Sequence, residues 1–452
     1  MAKRKYKVLS LFSGAMGLDL GLEATGRFKL LACIEKEKVF CNTIRKNKIK
    51  GCRPKTLKIF ENDICNLCPK SILESLNLKP GDLDLLVGGP PCQTFSTVGR
   101  RQTIQDPRGT LLWQFLKFID VFRPKLFLME NVRGILSAAI KHRPIKDRPD
   151  KGGMPLEPKE EPGSVVKLFS KDLQSLNGVN YHMDCFEVNS VNYGAPQIRE
   201  RVLFIGNRFN AVVNFPNPTH TNPRQLSQKQ STLFDEESSL KPWTTLRDAI
   251  GNLKEKNPLV LDFSPRKKGY LSMVPEGANW RSLPLEIQKE SMGRAWYAKG
   301  GRSGWWRRLT FDLPCPTLMT MPNHASTSLC HPTETRALSI KEYARIQEFP
   351  DDWVFVGKVH EQYTQVGNAV PTRLGRVAGN IIAKELDTLK KRKHKPYKKP
   401  ENDYRIIYIQ SHVRTRKWFE KGKVFVWDRK KENKDVCYKE PIKKTQVRLL
   451  DI

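Results

Sequence analysis

Cys92 is the residue of this chain whose type and position most clearly predict chemistry. It follows two prolines in the segment GGPPCQTFS, residues 88–96. The preceding run Leu83–Val87 is short and apolar, as expected of a parallel strand buried on both faces. Ligands of open α/β sheets bind beyond the carboxyl ends of strands, so the thiol lies where a nucleophile would act. The alternative is a buried structural thiol, but the prolines and the flanking Gln93 and Ser96 favour the nucleophile.

Glu130 and two arginines are further candidates to bind or protonate an electron-poor ring that the thiol attacks. Glu130 comes near the end of a predicted strand, so its carboxylate and the Cys92 thiol can face one pocket. Such a pair suits attack on an electron-poor ring while a neighbouring ring nitrogen is protonated. Arg199 and Arg201 share one face of an extended segment by period-two alternation, and guanidinium forks suit a ring carbonyl and a phosphate. The alternative for both arginines is a surface ion pair with Glu200.

A glycine-rich turn and two acidic strand ends predict a nucleotide-type cofactor site. The turn is LFSGAMGLDLG at residues 11–21, between a strand and a helix. It is not GxGxxG, and such a turn alone is weak evidence. Glu35 closes the second predicted strand, where a carboxylate can bind ribose hydroxyls, and Asp63 closes the third, where it can accept from an adenine amine. Each acid alone is more often a helix cap or a surface charge, but the three strand ends together favour a cofactor.

Alternating strands and helices must hold these residues. The predicted strands are Lys7–Phe12, Phe28–Glu35, Lys58–Ile64, Leu83–Gly89, Lys125–Asn131, Tyr181–Asn189 and Arg201–Asn207. Helices are predicted from Gly17, through Lys48, over Thr110–Phe122, over Leu338–Phe349 and from Pro371 towards Leu389. This rhythm predicts an α/β fold with a doubly wound, mostly parallel sheet. The segment 209–335 lacks the rhythm, so we expect a second domain of irregular and short β structure there.

The charge of the chain predicts a polyanionic partner. A net charge of +32 over 452 residues makes nucleic acid the commonest candidate. There is no apolar run of the length of a membrane span or signal peptide, and ten scattered cysteines suit a reducing cytoplasm better than a disulfide framework. Cys65 and Cys68 form the only close cysteine pair. Without a second pair at ligand spacing they do not predict zinc, and we expect no metal site.

A basic extension follows the last predicted helix. From residue 390 to 452 there are 21 Lys and Arg against 8 Asp and Glu, a net charge of +13. The stretch KKRKHKPYKK at 390–399 is either a solvated linker, the commoner role of a charge run, or an arm that contacts phosphates. Ile406–Ile409 and Lys423–Trp427 are expected to pair as a small β appendage.

Sequence blocks between residue 8 and about residue 390 resemble the C5-cytosine DNA methyltransferases of the bacterial modification type. They occur in the family's order: FSGAMGLDLG, Glu35, Asp63-Ile64, GGPPCQTFS, Arg108-Gly109-Thr110-Leu111, Glu130-Asn131-Val132, QIRERV, RALSIKEYARIQEFPDDW at 336–353 and QVGNAVP at 365–371. The chain departs from the family at Met16, where the turn FxGxGG has its middle glycine, and at Ser10, where many members have Asp. Gly14 and Gly17 remain, so we expect cofactor binding to survive.

The resemblance implies the Rossmann-like fold of methyltransferases that use S-adenosyl-L-methionine. By the family's pattern the cofactor is bound by Phe12, Gly14, Gly17, Leu18, Glu35 at the ribose, Asp63 and Ile64 at the adenine, Pro90, Leu111, Asn368 and Val370. Because Asn368 lies so late in the chain, residues 336–390 must return to the catalytic domain that begins with residues 1–208. The segment 209–335 is then an inserted target-recognition domain, and residues 391–452 are a basic C-terminal extension.

The resemblance also implies the reaction. The Cys92 thiolate adds to C6 of a cytosine flipped out of double-stranded DNA, and Glu130 acts at N3 and the exocyclic amine. C5 then takes the methyl group, and loss of the C5 proton and of Cys92 restores aromaticity. Arg199 and Arg201 complete the catalytic set, and no metal is required. We expect a monomer in the bacterial cytoplasm, associated with the nucleoid, and a cognate restriction endonuclease as a functional rather than physical partner.

DNA contacts are expected from two regions. The loop at 93–108 starts beside Cys92 and is expected to close on the duplex. Its candidate contacts are Gln93, Ser96, Arg100, Arg101 and Arg108. In the recognition domain, Arg302, Arg307 and Arg308 are candidates for reading guanine edges. The tryptophans near them more often form a small core, so they are not assigned to DNA.

Two other functions remain open from the sequence. A tRNA cytosine-5 methyltransferase shares the catalytic blocks, but the long insertion and the absence of that branch's Cys-Phe-Thr block disfavour it. A non-catalytic DNA-binding regulator on the same scaffold need not keep Cys92, Glu130 and the glycine-rich turn, all of which are present.

Overall fold

One large sheet carries the fold. The computed structural model describes residues 5–91, 110–176, 178–223, 240–298, 302–391, 404–409 and 424–426. The strands in these ranges are β1 Tyr6–Leu11, β2 Phe28–Glu35, β3 Lys58–Glu61, β4 Leu85–Gly88, β5 Leu126–Val132, β6 His182–Asn189, β7 Glu200–Asn207, β8 His220–Thr221, β9 Lys241–Pro242, β10 Tyr404–Tyr408 and β11 Val424–Val426. Within the described residues, nine of them form one sheet in the order β11-β10-β6-β7-β5-β4-β1-β2-β3.

The strand directions bring the predicted site residues to one edge of the sheet. β1, β2, β3, β4 and β5 run parallel to one another, whereas β7 is antiparallel to both β5 and β6. The carboxyl ends of the parallel strands and the amino end of β7 therefore share an edge. The α/β fold with a mostly parallel sheet, predicted from the sequence, is confirmed.

Helices cover both faces of this sheet. In the described ranges they are α1 Gly17–Glu23, α2 Lys38–Ile49, α3 Pro69–Ser75, α4 Leu111–Phe122, α5 Ser164–Gln174, α6 Leu246–Ile250, α7 Pro265–Ser272, α8 Leu285–Met292, α9 Ile340–Ile346, α10 Val359–Asn368 and α11 Thr372–Lys391. Leu85 and Val87 of β4 belong to one buried apolar cluster, and Leu86 belongs to the other. The strand that leads to Cys92 is thus buried on both sides, as its continuous apolar sequence predicts.

The last long helix packs directly on the first one. A Cβ added to Gly21 of α1 would lie 2.8 Å from Cα of Gly375 in α11, and one added to Gly375 would lie 3.1 Å from Cα of Gly21. Neither position leaves room for a side chain, so the two helix backbones approach closely. This contact brings α11 back to the glycine-rich turn that precedes α1.

The segment between residues 209 and 335 is less β-rich than expected. Its described part holds the two-residue pair β8 and β9, but most of its regular structure is helical, in α6, α7 and α8. Pro265 occupies the first turn of α7, and Thr245 forms a capping box with Asp248 at the start of α6. Both are local helix signals that outweigh the loop-like composition. A third apolar cluster, which includes Trp280 and Trp306, forms the core of this part.

The C-terminal extension contributes to the main sheet. β10 pairs in parallel with β6, and β11 pairs antiparallel with β10. Nε of Arg405 donates to Oδ1 of the fully buried Asp184 at 2.6 Å. The expected pairing of two strands is present, but these strands extend the main sheet rather than form a separate appendage. Within the described residues, no helix is long and apolar enough to cross a membrane.

Candidate active site

Glu130 and Arg201 form an ion pair at the carboxyl edge of the sheet. Nε of Arg201 lies 2.6 Å from Oε1 of Glu130, and only 12% and 11% of the two side chains are exposed. The pairing register places Glu130 opposite Leu203 and Val132 opposite Arg201, so Glu130 and Arg201 lie on one face of adjacent strands. The catalytic carboxylate predicted from the sequence is therefore held by one of the two predicted arginines.

The alternative pairing of the arginines with Glu200 is wrong for their side chains. The carboxylate of Glu200 lies on the opposite face, where Nη1 of Arg133 donates to it at 3.0 Å. Nε of Arg133 also lies 2.8 Å from Oε1 of Glu187, which is fully buried. Arg201 reaches only the backbone oxygen of Glu200, at 2.8 Å. Because neighbouring strand residues alternate between faces, Glu200 cannot compete with Glu130 for Arg201.

The segment that leads to Cys92 lies against Glu130 and its neighbour. Nδ2 of Asn131 donates to the carbonyl oxygen of Pro90 at 3.2 Å. A Cβ added to Gly89 would lie 3.0 Å from Oε2 of Glu130, the oxygen that does not pair with Arg201. Cys92 follows Pro90 by two residues, a reach of about 7 Å for an extended chain. Cys92 itself and the loop candidates Gln93, Ser96, Arg100, Arg101 and Arg108 lie outside the described residues.

Arg199 is buried among protein oxygens. It is 3% exposed, and its two terminal nitrogens donate to Gln197 Oε1 at 3.3 Å, Leu318 O at 3.1 Å and Gly367 O at 2.8 Å. Burial lowers the pKa of Arg199, and the neighbouring charge of Arg201 lowers it further. The sequence predicted that this arginine would grip substrate. The structure instead gives its terminal donors to three segments of the chain.

The glycine-rich turn contains three residues with left-handed backbones. Phe12, Gly14 and Met16 all have left-handed backbones, with φ of 55°, 52° and 70°. The backbone N–H of Gly14 donates to Oε2 of Glu35 at 2.8 Å, and that of Glu37 donates to Oε1 at 3.0 Å. Burial raises the pKa of Glu35, while these N–H groups act in the opposite direction. A carboxylate has about four acceptor positions, so Glu35 can still accept from ribose hydroxyls.

Other predicted cofactor residues differ in their exposure and partners. Asp63 accepts from the N–H of Cys65 at 2.9 Å, which lowers the pKa of its carboxyl, and Ile64 beside it is buried. Leu18 and Val370 are 8% exposed, whereas Asn368 is exposed. Pro90 is buried and Leu111 is partly buried at the first position of α4. A Cβ added to Gly17 would collide with the carbonyl oxygen of Val370, so the 368–370 segment lies against the turn.

These residues fit an adenosine-type cofactor. No described atom lies within 4 Å of a Cβ added to Gly14, so the turn leaves open space beside its backbone. The carboxylates of Glu35 and Asp63 follow neighbouring parallel strands, and Glu35 pairs with Glu61 in the register of β2 and β3. This is the arrangement in which strand-end acids bind a nucleoside. Within the described part of the chain, no three His, Cys, Asp or Glu side chains are grouped to hold a metal ion.

The sequence did not single out several residues that shape the site. Asp19, behind the turn, is 2% exposed, hydrogen-bonds with Ser10, and burial raises its pKa to about 7. Arg133 and Asn131 hold the end of β5 in place. The position of Asn131 beside Glu130 was a usable signal, whereas the contact between Asp19 and Ser10 becomes visible only once α1 packs on β1.

One of the three arginines expected to read DNA has a structural role. Arg308 is 6% exposed and donates to the backbone oxygens of Leu271, Val274, His331, Pro332 and Glu334. Its donors are used inside this part of the chain, and the assignment of Arg308 to DNA stays a prediction. Arg302 stacks on Trp280, with 5.1 Å from its guanidinium carbon to the ring centroid, and donates to Trp296 O. Arg307 is partly exposed, and its assignment to DNA stays a prediction.

Comparison with known proteins gives one consistent result over most of the chain. The family model described as C-5 cytosine-specific DNA methylase matches residues 6–385. The chain is 36% identical over 385 residues to the Type II methyltransferase M.Sau96I of Staphylococcus aureus, covering 85% of this chain and 77% of that protein. It is 34% identical over 394 residues to the Type II methyltransferase M.Eco47II of Escherichia coli, covering 86% and 81%.

One solved structure shares the fold at lower sequence identity. It comes from Escherichia coli and is described as a DNA modification methyltransferase encoded within a prophage. It matches with a TM-score of 0.51 and 22% identity, covering 85% of this chain and 100% of that chain. At this identity the likeness supports the fold alone.

Proposed function

This chain belongs to the C-5 cytosine-specific DNA methylase family, and from that membership we propose that it methylates C5 of a cytosine flipped out of a specific double-stranded DNA sequence. The proposed methyl donor is S-adenosyl-L-methionine. Its curated relatives are Type II methyltransferases, so we propose that it protects cytoplasmic DNA from a cognate restriction endonuclease.

The placement of Glu130 is the observation that carries this proposal. Oε1 pairs with Arg201, while Oε2 faces Gly89 in the segment that leads to Cys92. The ion pair holds one oxygen of the carboxylate, and Arg201 is itself mostly buried. A cytosine extruded into this edge can then meet the carboxylate at N3 and its exocyclic amine, with the thiol at C6.

Cys92 is the proposed nucleophile. Cytosine C5 is a poor carbon nucleophile until the thiolate adds at C6, which makes C5 an enamine carbon. After methylation, loss of the C5 proton and elimination of Cys92 restore the aromatic ring. A free thiol with a pKa of about 8.5 is only a few per cent ionised at neutral pH. The site must therefore lower that pKa or remove the thiol proton during attack.

Glu130 and Arg201 are proposed to manage the charge that addition pushes into the ring. Glu130 holds a proton at N3 and accepts from the exocyclic amine, so negative charge at N3 is stabilised. Arg201 orients Glu130 and presents its remaining donors to the same edge. The loop at 93–108 is proposed to close on the duplex and fill the space that the extruded base leaves.

The turn and the strand-end acids are proposed to hold the cofactor. Glu35 accepts from the ribose hydroxyls, Asp63 and Ile64 bind the adenine, and Gly14 leaves room for close approach. Asn368, Val370 and Leu111 complete the pocket. When bound, S-adenosyl-L-methionine supplies an electrophilic methyl group on a sulfonium.

The function is tested by labelled methyl transfer and by trapping. Purified protein should transfer tritiated methyl groups to duplex DNA and not to tRNA, and bisulfite mapping should place them at one cytosine of a fixed sequence. A duplex with 5-fluorocytosine at that position should form a covalent adduct, and Cys92→Ser should form none while still binding DNA. Equal transfer to tRNA would favour the RNA enzyme, and no transfer with intact DNA binding would favour the regulator.

A further inference from the structure

Arg199 lies where three remote segments of the chain meet. Its Nη1 donates to Leu318 O, in the segment that leaves the recognition domain. Its Nη2 donates to Gly367 O, near the end of α10. The third segment is its own, residues 197–201, which opens β7 and contains Arg201. One buried guanidinium therefore joins the segment at Leu318, the segment at Gly367 and the strand that carries Arg201.

Two buried glutamines complete the same network. Gln197 accepts from the N–H of Leu318 at 3.0 Å and donates to Oε1 of Gln347 at 3.0 Å. Gln347 in turn donates to Val366 O at 2.8 Å and Ala369 O at 3.0 Å. Both glutamines are fully buried. Buried polar groups that lose their partners are costly, so these segments are constrained to move together.

The joined segments lead to the two proposed ligand sites. After Leu318 the chain continues through Met319 and Met321, which are 38% and 52% exposed. The backbone at 319–320 passes so close to Gly367 that an added Cβ would lie 2.9 Å from Met319 O. On the other side, Gly367 precedes the exposed Asn368 and then Val370, whose carbonyl abuts Gly17 of the cofactor turn.

We propose that Arg199 is a positioning residue that couples the binding of duplex DNA to the binding of the cofactor. The inference rests on the proposed function. A ligand that orders the 318–321 segment fixes Leu318 O, and through the Arg199 fork it also fixes Gly367 O beside the cofactor pocket. The second ligand then binds to a segment that is already ordered. Couplings of this kind change affinity by about 5- to 150-fold.

The coupling is measured as a ratio of dissociation constants. S-adenosylhomocysteine is titrated into the full-length enzyme alone and with a saturating duplex that carries the sequence the enzyme methylates. For the wild type we expect the duplex to tighten binding of this probe at least about fivefold. In Arg199→Lys a single ammonium cannot bond both carbonyls in the fork geometry, and the ratio should fall to about one. Gln347→Met, which removes the amide link, should lower the ratio in the same direction.

Arg308→Lys is the matched control. Arg308 is also a buried arginine bonded to backbone carbonyls, but all its partners lie between Leu271 and Thr335. The Arg308→Lys variant should have a lower melting temperature, but the ratio of its two dissociation constants for S-adenosylhomocysteine, without and with DNA, should equal that of the wild type. An unchanged ratio in Arg199→Lys overturns the inference, as does an equal loss in Arg308→Lys. If Arg199→Lys does not fold, Gln347→Met decides by the same criterion.

The wild type separates this inference from the proposed function. If the enzyme methylates duplex DNA but the duplex leaves the affinity for S-adenosylhomocysteine unchanged, the coupling is refuted and the function stands. If the wild type binds neither the probe nor DNA, the proposed function itself fails.

Discussion

Glu130 and Arg201 are joined by a 2.6 Å ion pair across the antiparallel strands β5 and β7. β7 runs antiparallel to both of its neighbours, and for that reason its first residues lie at the edge where the parallel strands end. Arg133, Glu187 and Glu200 form a separate cluster on the opposite face. The charged side chains therefore form two groups, one on each face of the sheet, because neighbouring side chains of a strand point to opposite faces.

Arg201→Met should slow methyl transfer while leaving the fold intact. It removes the group that orients the mostly buried Glu130 carboxylate, and misplacement of a catalytic group costs roughly 100-fold in rate, or about 3 kcal/mol of activation free energy. The single-turnover rate and the affinity for S-adenosylhomocysteine measure the two effects separately, and only the rate should change strongly. Arg133→Lys, on the opposite face, is the control and should change the rate far less. Wild-type turnover in Arg201→Met would remove Arg201 from the mechanism.

Glu130→Gln should slow methylation far more than it weakens cofactor binding. The amide keeps the shape of the side chain but cannot hold a proton at N3 in the same way. Single-turnover rates and titrations with S-adenosylhomocysteine give the comparison. Equal losses in both would indicate that Glu130 only supports the structure of the edge.

The sequence predicted the strands and the edge well where a strand is a short apolar run that ends at polar residues, as in β5, LFLMENV. The second strand, Phe28–Glu35, has the predicted bounds. The third was expected to reach Ile64 but ends at Glu61, because Asp63 caps a short 3₁₀ turn instead. Phe12 was placed in the first strand, yet its φ of 55° makes it part of the turn. Turn geometry of this kind depends on neighbouring elements and is not visible in an apolar pattern.

Partners in space were harder to predict than positions in the chain. Period-two alternation placed Arg199 and Arg201 on one face, but only the folded chain gives Arg201 to Glu130 and Arg199 to Leu318 and Gly367. Arg308 was assigned to DNA from its charge, although five carbonyls of its own domain accept from it. An arginine count predicts affinity for polyanions, whereas burial decides which arginines remain at the surface.

Gly14→Ala and Gly17→Ala should have different effects. At Gly14 an added Cβ meets no described atom, and the left-handed backbone costs about 1–2 kcal/mol. This variant should fold but bind S-adenosylhomocysteine more weakly, because the methyl group enters the proposed cofactor space. At Gly17 the Cβ collides with Val370 O in the α1–α11 contact region, so the melting temperature should drop markedly. Equal melting temperatures for the two variants would contradict this assignment.

Removing residues 391–452 should lower stability as well as affinity for DNA. The loss of β10 uncovers the edge of β6 and takes Arg405 from the buried Asp184, at a cost of about 3 kcal/mol. The loss of basic charge should weaken DNA binding and flatten its salt dependence. A chain ending at Ile409 keeps β10 and the Arg405–Asp184 contact and loses only the pairing of β11, so its melting temperature should fall less. In the full chain, replacing the lysines of 390–399 with glutamine should flatten the salt slope alone, and an unchanged slope would exclude phosphate contacts by that stretch.

Asp19 should make the protein less stable as the pH rises towards neutrality. Burial raises its pKa from 3.8 to about 7, while Ser10 and Arg53 act in the opposite direction. Between these values the folded chain binds a proton that the unfolded chain has lost, so the free energy of unfolding falls as pH rises through this window. Three pKa units correspond to at most about 4 kcal/mol. Urea unfolding at pH 5 and pH 8 should show this fall in the wild type and a much smaller one in Asp19→Asn.

Asp184→Asn is the control of opposite sign for that experiment. Burial alone would raise the pKa of Asp184, but hydrogen bonds from His182 and Arg405 hold it below its ordinary value. Its contribution to stability is present above the unfolded pKa and is lost only as pH falls through the lower folded value. Asp184→Asn should therefore be less stable than the wild type by a similar amount at pH 5 and pH 8, and should keep the fall that Asp19 causes. If Asp19→Asn keeps that fall as well, another buried group must be its source.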